Sequence, residues 1–251
     1  MIRAIVVSVA TFLYILAVGL PFLVHAWVTK NTDKLYQVGI SGARLALWLS
    51  GVRLEVHGLE KIPHGRAAIY MPNHQSNCDP PAVISILPPV LVLAKQEFFQ
   101  VPVLGPAMVL RGFIPINRKD RERALAAMEQ AVESMKAGNS FLAFPEGTRS
   151  PDGRLQTFKK GLFVIAIKAG AFIVPISASG ARKVMPKGKF AIHPGVVRIT
   201  IHEPICAGNY TVENRRELID VTRQAILQGL EPDEWPLMEQ KPVVVKTEES
   251  E

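Results

Sequence analysis

Seven consecutive residues, Asn73-His74-Gln75-Ser76-Asn77-Cys78-Asp79, hold the side chains of this chain best suited to acid–base chemistry. A carboxylate five positions from a histidine can hold one imidazole nitrogen and leave the other to accept a proton. The flanking residues predict how the pair is presented. Residues 67–71 are apolar enough for a buried strand, and Asp79-Pro80 matches a helix start, with Asp as N-cap and Pro at the first helical position. His74 then leaves a strand end and Asp79 opens the next helix. The same residues also fit a plain strand-loop-helix junction, so the pair alone does not decide for chemistry. A metal centre is disfavoured, because no second His/Cys pair lies nearby at ligand spacing. Cys78 reads as a small buried apolar residue rather than a thiol nucleophile.

Further candidates sit where other short strands end. Arg111 and Arg118 bracket the apolar run 113–116. Phe144-Pro145-Glu146-Gly147-Thr148-Arg149-Ser150 leaves another run through a glycine turn, and Val174-Pro175-Ile176 marks a strand with a proline in it. In an open α/β sheet, ligands gather where strand ends release loops. Two guanidiniums delivered there, Arg118 and Arg149, suit a phosphate clamp, because the planar fork matches phosphate oxygens; the alternative is solvated surface charge. Glu146 either orients Arg149, takes a substrate hydroxyl, or is a plain turn carboxylate.

The elements that must position these loops alternate. Residues 52–57 have strict period two and predict a half-exposed edge strand. Further strands are expected at 67–71, 90–94, 113–116, 140–144, 171–177 and 196–202. Helices are expected at 80–87, 120–137, 161–169 and 211–230, with 95–110 partly helical and broken near Gly105-Pro106. This alternation argues an α/β fold with a mixed, largely parallel sheet flanked by helices.

Residues 4–29 contain no Asp, Glu, Lys or Arg. As a helix they would run ~39 Å, against a hydrocarbon core of about 30 Å. Gly19 and Pro21 can kink it, and Trp27 suits a headgroup-level anchor. The run is long, and its n-region basic only at Arg3, for a cleaved signal peptide. Residues 35–49 form a second amphipathic helix, which would lie on the bilayer or pack on the first. The division expected is 1–50 for membrane-anchoring helices, 51–230 for the α/β domain, and 231–251 for an acidic, disordered tail. Setting aside the seven acids and two bases of that tail, the body holds 27 Lys and Arg against 15 Asp and Glu. Such a body expects anionic partners. Nucleic acid is disfavoured, since no recognition helix or stacking-aromatic pattern accompanies the charge. Residues 182–189, with four bases and no acid, are either a bilayer contact or a solvated loop. Two cysteines give no disulfide framework and suit a reducing compartment. More basic residues follow the first helix than precede it, which puts the body on the cytoplasmic side of a membrane.

Taken together, Asn-His-Gln-Ser-Asn-Cys-Asp, Gly-Phe-Ile-Pro-Ile-Asn-Arg, Phe-Pro-Glu-Gly-Thr-Arg-Ser and Val-Pro-Ile, in this order and spacing, resemble the four blocks of the glycerolipid acyltransferase family. Within it the resemblance is greatest to the 1-acylglycerol-3-phosphate acyltransferases. Lys95-Gln96-Glu97-Phe98 is similar to the family's Lys-x-Glu-Leu segment, with Phe in the last place. The resemblance covers roughly residues 51–204. It implies transfer of an acyl group from coenzyme A or acyl carrier protein to lysophosphatidic acid, with no cofactor and no metal. His74 would be the general base and Asp79 its orienting partner. Lys95, Arg118, Glu146, Gly147, Thr148 and Arg149 would bind substrate, and backbone N–H groups near Gly147 would stabilise the oxyanion. Other acceptors, glycerol 3-phosphate or a lyso-ornithine lipid, fit the same chemistry. A non-catalytic, membrane-anchored phospholipid-binding protein is the reading of a different class, and the His74/Asp79 pair argues against it, because anion binding needs no base.

Overall fold

A computed structural model describes residues 1–117 and 120–237. Helix α1 (Ile2–Tyr14) passes through a π turn (Ile15–Gly19) into α2 (Leu20–Thr29), making one 28-residue apolar helix long enough to cross a membrane. The irregularity falls where the sequence puts it: Pro21 lacks the N–H that would serve Ala17, and the wider turn ends two residues before it. Most of this helix is uncovered, with Val6, Val9, Phe12 and Leu13 among its exposed side chains. Helix α3 (Asp33–Leu49) folds back on it. The Tyr14 hydroxyl donates to the Val38 carbonyl at 2.9 Å, and a Cβ on Gly42 would come within 2.8 Å of the Tyr14 ring. The same helix is fastened to the rest of the chain. Arg44 donates to the Ser85 carbonyl at 2.7 Å, and the Val90 N–H donates to the Tyr36 hydroxyl at 3.2 Å.

The α/β part then runs β1 (Val52–His57), β2 (Ala68–Pro72), α4 (Asp79–Ile84), β3 (Leu91–Lys95), α5 (Leu104–Arg111), β4 (Ile114–Ile116), α6 (Arg121–Lys136), β5 (Phe141–Leu142), α7 (Lys160–Ala169), β6 (Phe172–Ser179), α8 (Ala181–Val184), β7 (Gly195–Ile201), β8 (Ile205–Cys206) and α9 (Arg215–Gln228). The strands form one sheet in the order β1-β7-β6-β2-β5-β3-β4, with β8 also on β6. Strands β6, β2, β5, β3 and β4 pair in parallel, as do β1 and β7; β6 meets β7 and β8 antiparallel. The sheet is therefore mixed and largely parallel, and β1 lies at its edge, as its alternation predicts.

Both faces of the sheet are covered, so β2 is apolar throughout. Ile69 and Met71 face a cluster that includes Ala131 and Met135 of α6, Phe163 of α7 and Leu218 of α9. Ala68 and Tyr70 face the other side, where Leu47 of α3, Ala82 and Val83 of α4, and Val184 of α8 pack.

Three local expectations are corrected. Gly105-Pro106 does not break a helix but lies in the first turn of α5, where Pro is tolerated. The break comes earlier, at Val103, whose φ of 65° makes the turn. Gly105 is needed for close approach, since a Cβ there would lie 2.1 Å from the Phe99 carbonyl oxygen. Asp79 does not cap α4; it is the first helical residue, and its side chain turns back toward the preceding loop. The stretch expected to be disordered from Glu231 begins as a 3₁₀ turn (Pro232–Glu234) with a reciprocal capping box. There Glu234 accepts from the Gly180 N–H at 2.8 Å, and Trp235 packs against the buried Ile226 and Leu227. Residues 238–251 of that tail lie outside the described residues.

Helix α9 is pinned to the sheet by a buried polar pair. Ser177 donates its hydroxyl proton to the Ile226 carbonyl at 2.5 Å, so its oxygen is left to accept from His202 Nε2–H at 2.7 Å. Burial, aided by the Lys61 charge, pushes the His202 imidazole down to about 4. An unfolded histidine titrates near 6.5, so between these values the unfolded chain binds more protons than the folded one. The contribution of neutral His202 is full above about pH 6.5 and is lost as pH falls toward about 4. Urea midpoints measured from pH 7 to 5 should therefore fall in the wild type. They should fall less in His202→Gln, whose amide can donate to Ser177 without titrating.

Candidate active site

Because β2, β3, β4 and β5 run the same way, their C-terminal ends release their loops along one edge of the sheet. His74 follows β2, Lys95 ends β3, Asn117 follows β4, and the Phe144–Ser150 turn follows β5. Arg118 lies outside the described residues. Arg111 is at the other end of β4, where its guanidinium stacks on Tyr36 at 5.1 Å, so it belongs to the packing of α3 rather than to this edge.

The end of β2 is held firmly. The Asn73 side chain donates to the Ala178 carbonyl at 3.0 Å and accepts from the Ala178 N–H at 2.7 Å. The next residue presents its imidazole to Asp79, with Nδ1 2.9 Å from Oδ2. The same oxygen accepts the backbone N–H groups of Gln75 at 2.6 Å and Ser76 at 2.7 Å. An oxygen already taking two N–H donors acts as an acceptor, so the hydrogen on the Asp79–His74 line belongs to Nδ1. Nε2 then keeps its lone pair. Asp79 is fully buried, and this desolvation pushes its carboxyl up against the pull of His74 and the two amides. The ring's other constraint is Phe144, stacked on it at 4.1 Å between centroids. His74 is thus fixed in tautomer and plane while its side chain stays 16% exposed.

Of the alternatives open for Glu146, the geometry is that of a buried turn carboxylate. It neither orients Arg149 nor faces outward. Only 2% exposed, it accepts the His74 main-chain N–H at 2.6 Å on one oxygen and the Gln156 N–H at 3.2 Å on the other. Burial pushes its carboxyl up to about 8, despite these two N–H groups. Gly147 has φ 76°, and its N–H is committed to the Phe144 carbonyl at 3.1 Å, closing the turn. On the same turn the N–H groups of Thr148 and Arg149 bond to no acceptor among the described residues.

Thr148 is exposed and Arg149 half-buried on this turn, which is tied to the histidine loop by the Ser150 N–H donating to the His74 carbonyl at 2.7 Å. Lys95 is 60% exposed and paired with Glu97 at 2.8 Å. Cys78 is fully buried and its thiol is pushed up to about 12 by burial and the adjacent Asp79, which removes it as a thiolate. No group of three or more His, Cys, Asp and Glu that could hold a metal ion occurs among the described residues. The sequence reading missed Asn73, Ser76 and Gln156 as parts of the frame; for the first two, the only signal was their place in the His74 segment.

An acyltransferase family model matches residues 53–179, which include all of this edge. A chloroplastic 1-acyl-sn-glycerol-3-phosphate acyltransferase of Arabidopsis thaliana is 39% identical over 61% of this chain and 44% of its own length. The chain thus spans less than half of that relative. An enzyme of the same name from Borreliella burgdorferi is 31% identical over 75% of this chain and 76% of its own length. The crystal structure of the 1-acyl-sn-glycerophosphate acyltransferase of Thermotoga maritima superposes with a TM-score of 0.73 at 28% identity, covering 90% of this chain and 96% of that one. With its matched segment spanning the sheet from β1 to β6 and carrying the His74–Asp79 pair, this chain belongs to the acyltransferase family.

Proposed function

We propose that this chain moves a fatty acyl group from a thioester to the 2-hydroxyl of 1-acyl-glycerol 3-phosphate, giving phosphatidic acid. The observation that carries the reading is His74, whose Nδ1 is engaged by a buried carboxylate while Nε2 has no partner among the described residues. The names of the relatives support the acceptor. Nε2 takes the hydroxyl proton as the oxygen attacks the thioester carbonyl, a role worth ~10²–10⁴-fold. Asp79 steadies the imidazolium that forms. The tetrahedral oxyanion is met by the Thr148 and Arg149 amides; loss of one such donor typically costs ~10²–10³ in rate. Collapse breaks the C–S bond, and the departing thiolate recovers the proton from His74, so an ester and a thiol leave and the base is restored. The donor is coenzyme A or acyl carrier protein, whose thioesters are alike at the reacting carbon. Arg149, with Arg118 and Lys95, holds the acceptor's phosphate.

Both the acceptor and the acyl chain favour lipid, so the exposed apolar helix α1–α2 sits in the membrane, with the basic body drawn to an anionic cytoplasmic face.

Three outcomes check this reading. His74→Ala should lose at least about a hundredfold in kcat with its thermal midpoint retained, whereas Cys78→Ala should keep most of its activity. An acyl-thioester trapped on Cys78 and seen by mass spectrometry would refute direct transfer. Glu146→Gln should place an amide N–H₂ against one of the two backbone N–H groups, a mismatch of about 1–3 kcal/mol that loosens the His74 main chain. The expected result is a fall in kcat of about tenfold or more with both KM values little changed; a change confined to KM would assign Glu146 to substrate binding instead. Deleting residues 1–30 should release much of the protein from membranes, since α3 keeps its bonds to Ser85 and Val90. Residual binding should weaken with salt. A truncated protein fully bound at high salt would move the anchor elsewhere.

A further inference from the structure

Residues 182–189 read in sequence as either a bilayer contact or a solvated loop, and in the fold several of them reach the loops of the site. After α8 the chain crosses both loops of the site. Ser76 of the histidine loop donates its hydroxyl to the Met185 carbonyl at 2.8 Å. Arg182 donates to the Pro151 carbonyl at 2.7 Å, and its stem covers Gly153, where a Cβ would meet it at 2.6 Å. The Lys187 ammonium donates to the Arg149 carbonyl at 2.5 Å. Lys187 is half-buried, whereas Lys183 and Lys189 are exposed.

From this geometry we infer that Lys187 is a specificity-determining residue that binds the phosphate monoester of the acceptor together with Arg149. The ammonium has three donors, and one is spent on the carbonyl of the residue that carries the guanidinium. Two remain for phosphate oxygens. Neither Arg149 nor Lys187 has a carboxylate partner among the described residues, although the surface bases Arg53, Lys61, Lys136 and Arg198 do. With the Lys187 ammonium on the main-chain carbonyl of Arg149 and no carboxylate paired to either side chain, a dianionic phosphate bound by both supplies the missing countercharge. Because the Arg149 turn is joined to His74 through Ser150, a phosphate fixed there sets the distance of the acceptor hydroxyl from the base. This rests on the acceptor being phosphorylated, as proposed above.

The test compares the full-length wild type with Lys187→Met, Lys187→Arg and Lys189→Met in mixed micelles. Lysophosphatidic acid, monoacylglycerol and acyl-coenzyme A are varied in turn at several salt concentrations. Lys187→Met should raise the KM for lysophosphatidic acid about tenfold or more, leave that for monoacylglycerol and for the donor unchanged, and largely recover in Lys187→Arg. Lys189→Met should resemble the wild type. An equal rise for monoacylglycerol, a rise confined to the coenzyme A donor (whose phosphates offer the same chemistry), or equal effects at 187 and 189 that vanish with salt would each overturn the assignment. If Lys187→Arg is no better than Lys187→Met, the residue only braces the turn and the inference fails. A wild type that does not prefer lysophosphatidic acid to monoacylglycerol fails the functional reading itself, which separates the two.

Discussion

Two buried carboxyls, one opening α4 and one on the turn after β5, govern the local structure around the end of β2. Asp79 and Glu146 are removed from water, where a carboxyl needs N–H donors. Asp79 receives all of its donors on Oδ2, while its buried Oδ1 has no hydrogen-bond partner among the described residues. Apart from the His74 ring, the donors are main-chain groups. Gln75 and Ser76 wrap over Asp79, while His74 and Gln156 converge on Glu146. The loop from 74 to 79 is wound by these bonds. His74 belongs to both sets, its ring to one carboxyl and its amide to the other.

That arrangement resolves a difficulty in placing a base on a loop. Loops move, and a proton acceptor displaced by an ångström loses much of its advantage. The His74 loop is instead secured from below by the reciprocal Asn73–Ala178 bonds, from the side by the Ser150–His74 bond, and from above by Ser76 and Met185. The rigid parallel strands carry the frame, and the reactive atom is the part left unengaged. Burial that raises both carboxyls also places them in a low-dielectric setting where the Asp79–imidazole attraction is strong.

The N-terminal helices meet this frame through α3. Its Arg44 and Tyr36 bonds fasten it to the segment between α4 and β3, whose strand ends on the same edge as the site. In the proposed reaction, a helix held in lipid and a site held on the sheet are therefore linked by one rigid element, and the acceptor need not leave the membrane surface to reach His74.

Local patterns in the sequence determined the elements. Period-two alternation at Val52–His57, the apolar run at β2 and the Asp120-capped amphipathic α6 are properties of neighbouring residues, and each forms close to where those patterns end. The His74 segment and the arginine turn were legible for the same reason: their residue types and spacing are local, and the pairing of His74 with Asp79 spans only five positions. What those side chains touch was not legible. Glu146 lies 72 residues from the amide it receives, Ala178 lies 105 from Asn73, and Lys187 lies 38 from Arg149. Those meetings exist because β2 is placed between β5 and β6, an order that no local periodicity encodes. Asp79 shows the division within one residue. Its type and its proline neighbour mark a helix start, yet its carboxylate points back into the loop, because only there does the folded chain supply a histidine and two free amides to a buried charge.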